Sequence, residues 1–185
     1  GAELVSVSIG NSWSFELEVR NKQIDVLKEA GSSGISISLC KDKRRSSVFS
    51  NDLRLETLES LISSTMKALR FMGVDEFFSL PDVNLQGIAS GDLKLVDNDF
   101  DSHGSSEKIE KTRLLEEKTL KLDNRLKTEQ VYFSDSISSS IYADSNGFIG
   151  DDTGSYYSFG MSALVEDNVE TGENKARKQT DGWHT

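Results

Sequence analysis

The sequence Ile141–Asp167, IYADSNGFIGDDTGSYYSFGMSALVED, is the stretch from which the fold can be argued. Two apolar runs flank the turn signal Ser145-Asn146-Gly147, and a second turn signal follows at Asp152-Thr153-Gly154. The dipeptide Asn-Gly allows positive φ at little steric cost, and it therefore closes tight hairpins. The stretch predicts antiparallel sheet.

The first 50 residues predict a further antiparallel meander. Apolar residues alternate with polar or small ones, which is the pattern of half-buried strands, and turn signals interrupt the alternating runs. The predicted strands are Leu4–Ile9, Phe15–Val19, one that begins at Ile24, Ile35–Leu39 and Ser47–Phe49. The predicted turns are Gly10-Asn11, Asn21-Lys22, Ser32-Ser33-Gly34 and Lys41-Asp42-Lys43.

Two helices are predicted in the middle of the chain. Apolar residues recur every three or four positions over residues 54–72, with Asn51 and Asp52 as capping candidates. The second helix is predicted over residues 106–126, with Ser105 or Ser106 as its cap. Two pairs on it, Glu107–Lys111 and Glu117–Lys121, have the favourable i,i+4 orientation.

Strands are predicted again after the second helix. They are Val131–Phe133, Ile137–Ala143, Phe148-Ile149, Tyr156–Val165 and a piece near residues 179–183, while Leu93–Val96 is a candidate for one more. The order of strands, helix, helix and strands predicts an α+β fold, with antiparallel meander sheets and two helices packed on one face. We expect a single domain over residues 1–185.

Composition limits the classes of partner. The 185 residues carry a formal net charge of −10 at pH 7. Because Lys and Arg supply most of the affinity for phosphates, no direct nucleic-acid partner is expected, and the basic run Lys41–Arg45 is interpreted as a solvated hairpin tip. No apolar run is long enough to span a membrane, and the first residues do not resemble a signal peptide.

Nucleophilic catalysis has no clear signature in the sequence. Cys40 is the only cysteine, so no intrachain disulfide can form, which fits a reducing cytoplasm. Beside Leu39 at a strand end, Cys40 is interpreted as a small buried filler. The sequence contains no Gly-x-Ser-x-Gly motif, and Gly147, Gly150 and Gly154 are spaced like hairpin turns and not like a phosphate loop. No catalytic or cofactor-binding residue is predicted.

Metal ligation also lacks a complete motif. Zinc peptidase chemistry needs imidazoles spaced along a helix face and a carboxylate base. The only histidines are His103 and His184, and Glu107 lies four residues after His103. We interpret His103 and Glu107 as a solvent-exposed pair.

An acidic loop follows the first helix. Asp97, Asp99 and Asp101 alternate like the first ligands of a calcium loop, but Ser102 and Lys108 occupy the positions of the required glycine and glutamate. A solvated loop is therefore the preferred interpretation, and no metal ligand is predicted in this chain.

Four aromatic residues near the C-terminal end are the candidates for ligand binding. Tyr156, Tyr157, Phe159 and Trp183 could floor a peptide-binding groove, and ordinary core and edge packing is the other interpretation. An exposed sheet edge could also accept an extended peptide by strand addition.

Seven short motifs occur in an order that is similar to one known family. They are Phe15–Asp25, Gly34–Ile37, Asn51–Leu53, Asp75–Asp82, Ala143–Phe148, Ala163–Asp167 and Asp181–Trp183. In this order they resemble the TldD/PmbA family, the "modulator of DNA gyrase" proteins, which include a zinc metallopeptidase. The region resembles the N-terminal α+β domain of that family.

The resemblance implies a function but no catalytic residue. The zinc-binding HExxxH helix of the family, and a further ligand, lie beyond the matching region, so no site residue can be carried over. The sequence Asn146-Gly147-Phe148 resembles the PmbA (TldE) branch, which lacks the zinc motif and is thought to pair with the zinc subunit to cleave unfolded peptides.

From this resemblance we expect part of a longer chain, in the cytoplasm, that forms a homo- or hetero-oligomer with a TldD-type subunit. It would help shape a cavity for unfolded peptides and contribute to dimer contacts. Zinc would belong to the partner subunit or to a C-terminal half. The alternative from another class is a free-standing β-rich module that binds proteins or peptides and has no enzymatic role.

Overall fold

The computed structural model describes residues 1–88, 90–166 and 177–184, with residue 166 and residues 177–184 as backbone only. Its strands are β1 (Leu4–Arg20), β2 (Gln23–Lys41), β3 (Arg44–Ser50), β4 (Leu126–Asp144), β5 (Ile149–Glu166) and β6 (Arg177–His184). Its α-helices are α1 (Leu55–Ala68) and α2 (Ser105–Leu120). The six strands form one sheet in the order β3-β2-β1-β4-β5-β6. The predicted α+β class is confirmed.

Several predicted turns are wrong because they lie inside long strands. Gly10-Asn11 is part of β1, Ser32-Ser33-Gly34 is part of β2, and Asp152-Thr153-Gly154 is part of β5. Side chains in these stretches bond across strands: Ser12 Oγ lies 2.9 Å from Ser32 Oγ, and Thr153 Oγ1 donates to Ser139 Oγ of β4 at 3.0 Å. Pairing with a neighbouring strand overrides the local turn preference of these residues.

In the C-terminal part of the chain, too, the observed strands differ from the predicted ones. Val131–Phe133 and Ile137–Ala143, predicted as separate strands, both belong to the 19-residue strand β4. Leu93–Val96 does not form a strand. The predicted strand near residues 179–183 is confirmed as β6, which pairs antiparallel with β5.

The hairpin turns that the sequence signalled most clearly are confirmed. Asn21 and Lys22, between β1 and β2, have φ of 50° and 62°. Asp42 and Lys43, between β2 and β3, have φ of 52° and 57°. Type I′ turns require such angles at both central residues. Between β4 and β5, Gly147 has φ of 95° and donates its N–H to the carbonyl of Asp144 at 3.1 Å.

Both predicted helices form, with different ends. Helix α1 begins at Leu55, and a 3₁₀ turn at Leu69–Phe71 extends it towards the predicted end. The prediction that α2 is capped by a serine and ends near residue 126 is wrong. Its N-cap residue is Gly104, no side chain caps it, and it ends at Leu120. The predicted i,i+4 pairs Glu107–Lys111 and Glu117–Lys121 both form ion pairs.

The chain divides into two compact units. The first comprises Gly1–Ser12, Gly31–Leu95 and Ser138–Gly154, and the second comprises Trp13–Ala30, Val96–Ile137 and Ser155–Thr185. The core of the first unit consists of Ile35, Ile37 and Leu39 of β2 with Leu69 after α1. The core of the second unit consists of Phe15, Leu17 and Val19 of β1, against which Ile109 of α2 and Phe133 of β4 pack. Both cores use the alternating positions that the strand pattern predicts.

Candidate functional site

An open groove of about 940 Å³ lies in the second unit, and we call it the hairpin groove. The end of β1, the end of α2, the start of β4 and part of β5 provide its walls. Its lining residues are Arg20, Asn21, Leu120, residues 126–130, Ser162 and Leu164. The groove therefore combines three leucine side chains with hydroxyl, amide and charged groups.

A buried carboxylate holds one wall of the hairpin groove in place. Glu116 of α2 is fully buried, with 0% of its surface exposed. Its oxygens accept the backbone N–H groups of Asn21 (2.9 Å) and Lys22 (2.6 Å) and the hydroxyl of Thr128 (2.5 Å). A buried charge is costly unless it is fully hydrogen-bonded, and Glu116 meets that condition with three donors. It positions both Asn21 and Thr128, which line the groove.

The hydroxyl groups that line the hairpin groove are engaged in hydrogen bonds. The hydroxyl of Thr128 is committed to Glu116, and Ser162 Oγ donates to Glu129 Oε2 at 3.2 Å. No imidazole or thiol lies among the residues that line the groove. An extended polypeptide could be held there by polar contacts along the walls and by Leu120, Leu126 and Leu164.

A second polar site in the same unit surrounds Lys108 of α2. Its Nζ lies 2.5 Å from Oδ2 of Asp135 on β4, and the Asp135 side chain is 1% exposed. Within the described part of the chain, neither carboxylate oxygen of Asp135 accepts a well-directed hydrogen bond, so the ion pair with Lys108 is the contact that compensates this buried charge. The ammonium group also lies 4.8 Å from the ring centre of Phe15 and 6.0 Å from that of Phe133. Such cation–π contacts stabilise a desolvated ammonium group.

A cavity of about 170 Å³ lies next to this ion pair. Its lining residues are His103, Glu107, Lys108, Lys111, Phe133 and Tyr157. Tyr157 donates its hydroxyl to Asp97 Oδ2 at 2.9 Å, and its ring packs against that of Phe100 with centroids 5.5 Å apart. Burial, followed by this bond to Asp97, raises the pKa of Tyr157 well above its usual value, so the phenol stays protonated at neutral pH.

His103 and Glu107 form the contact that their spacing allowed. His103 Nδ1 lies 3.3 Å from Glu107 Oε2, while Lys111 binds the other oxygen of Glu107 at 2.6 Å. The hydrogen bond from Lys111, and then that from His103, lower the pKa of Glu107. These bonds occupy the carboxylate within its own helix, which agrees with a partly exposed ion-pair cluster.

Three of the four aromatic residues that the sequence singled out lie on β5, and they do not share one face of the sheet. Successive residues of a strand point to opposite faces, so Tyr156 lies opposite to Tyr157 and Phe159. Tyr156 and Phe159 are exposed, and Tyr157 is bonded to Asp97 as described above. The backbone of Trp183 pairs with that of Gly160, and its side chain lies outside the described residues. Their role as a peptide-binding floor stays a prediction.

The hairpin groove is the feature that sequence reasoning missed. Glu116 looks like one more polar residue of a charged helix, and its hydrogen-bond partners at Asn21 and Lys22 lie 95 and 94 residues away. The local signal was the small number of apolar residues in α2, since such a helix must bury some polar groups when it packs.

A zinc centre does not fit the described side chains. Among residues 1–88 and 90–165, no group of three or more His, Cys, Asp and Glu side chains is arranged to hold a metal ion. The single described imidazole, that of His103, is paired with Glu107. Cys40 is buried, as the sequence predicted, and burial raises the pKa of its thiol, so it is a poor metal ligand or nucleophile.

The fold and the groove define a class: an α+β protein with a long-stranded antiparallel sheet and a groove suited to binding. Comparison with models of known protein families identifies the family within this class. A model described as PmbA/TldA metallopeptidase domain 1 matches residues 5–69, and one described as PmbA/TldA metallopeptidase central domain matches residues 98–185. The two matches cover most of the chain in the family's order, and the chain belongs to the PmbA/TldD metallopeptidase family.

Solved structures agree with this assignment. A protein from Bacteroides thetaiotaomicron described as a modulator of DNA gyrase is 28% identical, with a TM-score of 0.85 over 99% of this chain and 40% of that chain. A Thermotoga maritima protein with the same description is 16% identical, with a TM-score of 0.76 over 97% of this chain and 38% of that chain. TldE from Thermococcus kodakarensis is 16% identical, with a TM-score of 0.74 over 97% of this chain and 40% of that chain.

The last two similarities show the fold alone. The chain spans about two fifths of the length of these structures. No curated protein matches it at a significant level. No helix in the described part of the chain is long and apolar enough to cross a membrane.

Proposed function

We propose that this chain is the N-terminal part of the PmbA-like, non-zinc subunit of a TldD/PmbA-type peptidase system. In this role it helps form a cavity for unfolded peptides and contributes to dimer contacts. The observation that carries the proposal is the match of both family domains, in order, along the chain. The sequence Asn146-Gly147-Phe148, which resembles the PmbA branch, supports the choice of subunit.

The hairpin groove supports the peptide part of the proposal. An unfolded peptide offers backbone amides and scattered apolar side chains, and the groove presents partners for both. We assign hydrolysis to the zinc subunit, which would hold the metal and the general base. We also propose a cytoplasmic location, which is supported by the lone, buried thiol of Cys40.

The first test is the mass of the native protein from its own cells. This chain of 20.5 kDa corresponds to about 40% of the similar chains, so the proposal predicts a species of about 50 kDa. A native species of 20.5 kDa that binds no TldD-type subunit would instead favour the free-standing binding module.

The second test combines the native protein with the TldD-type subunit of the same organism and an unfolded polypeptide such as reduced, carboxymethylated casein. We expect cleavage only when both subunits and zinc are present. Full activity of the TldD-type subunit alone, unchanged when this protein is added, would contradict the proposal.

A groove variant tests the peptide-binding role within that assay. Leu126→Glu places a charge in the hairpin groove and should raise KM for the unfolded polypeptide about tenfold without changing subunit association. Leu122→Glu is the matched control, because Leu122 is 79% exposed and does not line the groove. Equal KM values for the two variants would argue against the groove as the peptide site.

A further inference from the structure

The tip of the hairpin between β4 and β5 contains the dipeptide Asn146-Gly147, and both residues are exposed. Asn146 donates its backbone N–H to Oδ1 of Asp144 at 2.9 Å, and Gly147 donates its N–H to the carbonyl of Asp144 at 3.1 Å. Asn146 is the only asparagine in the sequence that is followed by glycine. Its side chain therefore has a neighbouring peptide bond unlike that of any other asparagine in the chain.

An asparagine can react with the peptide bond that follows it. At this site the backbone nitrogen of Gly147, after losing its proton to water or hydroxide, attacks Cγ of Asn146. The new C–N bond closes a five-membered succinimide ring, while the C–N bond of the carboxamide breaks and ammonia leaves. Water then opens the ring at one of its two carbonyl carbons, so aspartate or isoaspartate remains at position 146. Water is the only co-reactant that this deamidation needs.

Glycine at position 147 favours ring closure. The backbone must rotate so that the nitrogen of Gly147 reaches Cγ of Asn146, and glycine has no Cβ to hinder that rotation. Apart from the chain neighbours, no described residue lies within 4 Å of the position that a Cβ on Gly147 would occupy, so the tip has room to rearrange. The hydrogen bond from Gly147 to Asp144 must open first, so the reaction is slower in the folded protein than in an unfolded peptide.

The carboxamide of Asn146 also links the hairpin to residues 81–86, which belong to the same compact unit. Its Nδ2 donates to the carbonyl of Pro81 at 3.2 Å, and Gln86 Nε2 donates to Oδ2 of Asp144 at 2.8 Å. Deamidation replaces the NH₂ donor with a carboxylate oxygen, which cannot donate to Pro81. The new charge also lies near the carboxylate of Asp144, which disfavours the present arrangement.

The hairpin itself has anchors that the reaction leaves in place. Ser145 donates its N–H to the carbonyl of Val5 at 2.9 Å, and its Oγ accepts the N–H of Val5 at 3.0 Å. These bonds connect the tip to β1 and do not involve the side chain of Asn146. The effect of deamidation should therefore be confined to the contact with residues 81–86.

We propose that Asn146 is a deamidation site of this protein and that its conversion releases residues 81–86 from the hairpin. Both reacting groups belong to adjacent residues of the chain, so the reaction needs no partner and no enzyme. The inference is independent of the proposed function. The modified fraction increases with the age of the molecule, and the newly synthesised and aged forms differ in how this loop is held.

The first test follows deamidation in the full-length protein at neutral pH. After digestion in acid, mass spectrometry should show the mass change from NH₂ to OH at Asn146 and separate aspartate and isoaspartate products. The reaction should be at least about tenfold faster than at Asn84 and Asn124, because the side chains of the residues that follow them hinder ring closure. It should accelerate from weakly acid to weakly alkaline pH, since the nitrogen of Gly147 must lose its proton.

Two controls make this test decisive. A synthetic peptide of residues 141–152 gives the rate without the fold, and Asn146→Gln keeps a carboxamide that would have to close a larger ring. We expect the peptide to react fastest and Asn146→Gln to stay unmodified. Intact Asn146 in the folded protein, over a period in which the peptide is fully converted, would overturn the proposal.

The second test measures the release of residues 81–86. Asn146→Asp reproduces one product, and hydrogen exchange should be about three- to tenfold faster at the amides of Asn84 and Leu85, which donate to Asp82. Asn124→Asp is the matched control, because it introduces the same charge at an exposed position of the second unit and should leave this exchange unchanged. Equal exchange in Asn146→Asp and wild type would overturn the predicted release.

Discussion

At the scale of single residues, Glu116 has the clearest structural role. It joins helix α2 to the turn between β1 and β2 and to the start of β4 through three hydrogen bonds made by one buried carboxylate. The turn residues Asn21 and Lys22 both have positive φ, which directs their N–H groups to the same acceptor. One side chain therefore determines where the hairpin lies against the helix.

Replacement of Glu116 by alanine should destabilise the protein by about 3–5 kcal/mol. The change leaves two backbone N–H groups and one hydroxyl without their acceptor and creates a cavity. Glu116→Gln should cost less, about 1–3 kcal/mol, because the amide retains one acceptor oxygen. Urea unfolding followed by circular dichroism measures both changes. Glu117→Ala is the matched control: the Glu117 carboxylate pairs with Lys121 on the surface, so a loss of stability as large as that of Glu116→Ala would contradict this account.

The buried pair Lys108–Asp135 provides a second prediction at this scale. Lys108→Met removes the ion-pair partner of a buried carboxylate and should cost about 3–5 kcal/mol. The double variant Lys108→Met/Asp135→Leu should recover most of that loss, because apolar side chains can pack among Phe15 and Phe133. A double-mutant cycle of unfolding free energies measures the coupling. Additive costs in the double variant would show that the pair is not coupled.

At the scale of elements, a glycine inside strand β2 allows a side chain of the neighbouring strand β3 to pack closely against the backbone. Gly34 was predicted to be in a turn, yet it lies within β2 and is covered by the ring of Phe49 from β3. A Cβ atom at position 34 would lie 2.6 Å from that ring and 3.2 Å from the carbonyl oxygen of Ser50. Here the absence of a side chain permits close packing between strands and does not mark a change of direction.

Gly34→Ala should therefore destabilise the protein by about 1–2 kcal/mol, less than for a fully buried clash because the Phe49 ring is 64% exposed and can move. In a Phe49→Ala background the same change should cost less, since only the contact with the Ser50 carbonyl oxygen remains. Thermal unfolding of the four proteins measures the cycle. Equal costs in both backgrounds would show that the ring does not restrict position 34.

At the scale of the whole molecule, stability should fall steeply in acid. Among the side chains that the structure describes, six carboxyl groups have a pKa below the usual range, chiefly because side-chain or backbone hydrogen-bond donors contact them: Asp52, Asp97, Glu107, Glu117, Asp123 and Asp144. Hydrogen bonds from the side chain and backbone of Arg125 lower the pKa of Asp123 to about 2. A lowered pKa in the folded state means that the unfolded chain binds more protons in acid, so stability decreases as the pH falls.

The contribution of these groups should be complete above their unfolded pKa values near 4 and should be lost from there towards pH 2. The midpoint of urea unfolding should therefore be nearly constant between pH 7 and about pH 5.5 and should decrease below about pH 4. Asp144→Asn provides the control, because the asparagine side chain could still accept hydrogen bonds but cannot titrate. Its profile should have a shallower acid slope than wild type, and an identical slope would exclude Asp144 as a contributor.

The sequence by itself determined the features that depend on a few neighbouring residues. Period-2 and period-3.6 apolar patterns predicted the α+β class, the cores around Leu17 and Ile37, and both helices. The Asn21-Lys22 and Asn146-Gly147 turns were predicted because their residues tolerate the left-handed region. The seven motifs in order indicated the family, which the domain matches support.

Only the tertiary structure decided how far each strand runs and which polar groups are buried. Gly10-Asn11 and Gly34 favour turns locally, but pairing with adjacent strands keeps the backbone extended. Glu116 is buried only because donors about 95 residues away in sequence converge on it. Such outcomes depend on contacts between distant residues, and no local pattern encodes them. For the same reason, the hairpin groove emerges only when the hairpin, α2, β4 and β5 are packed together.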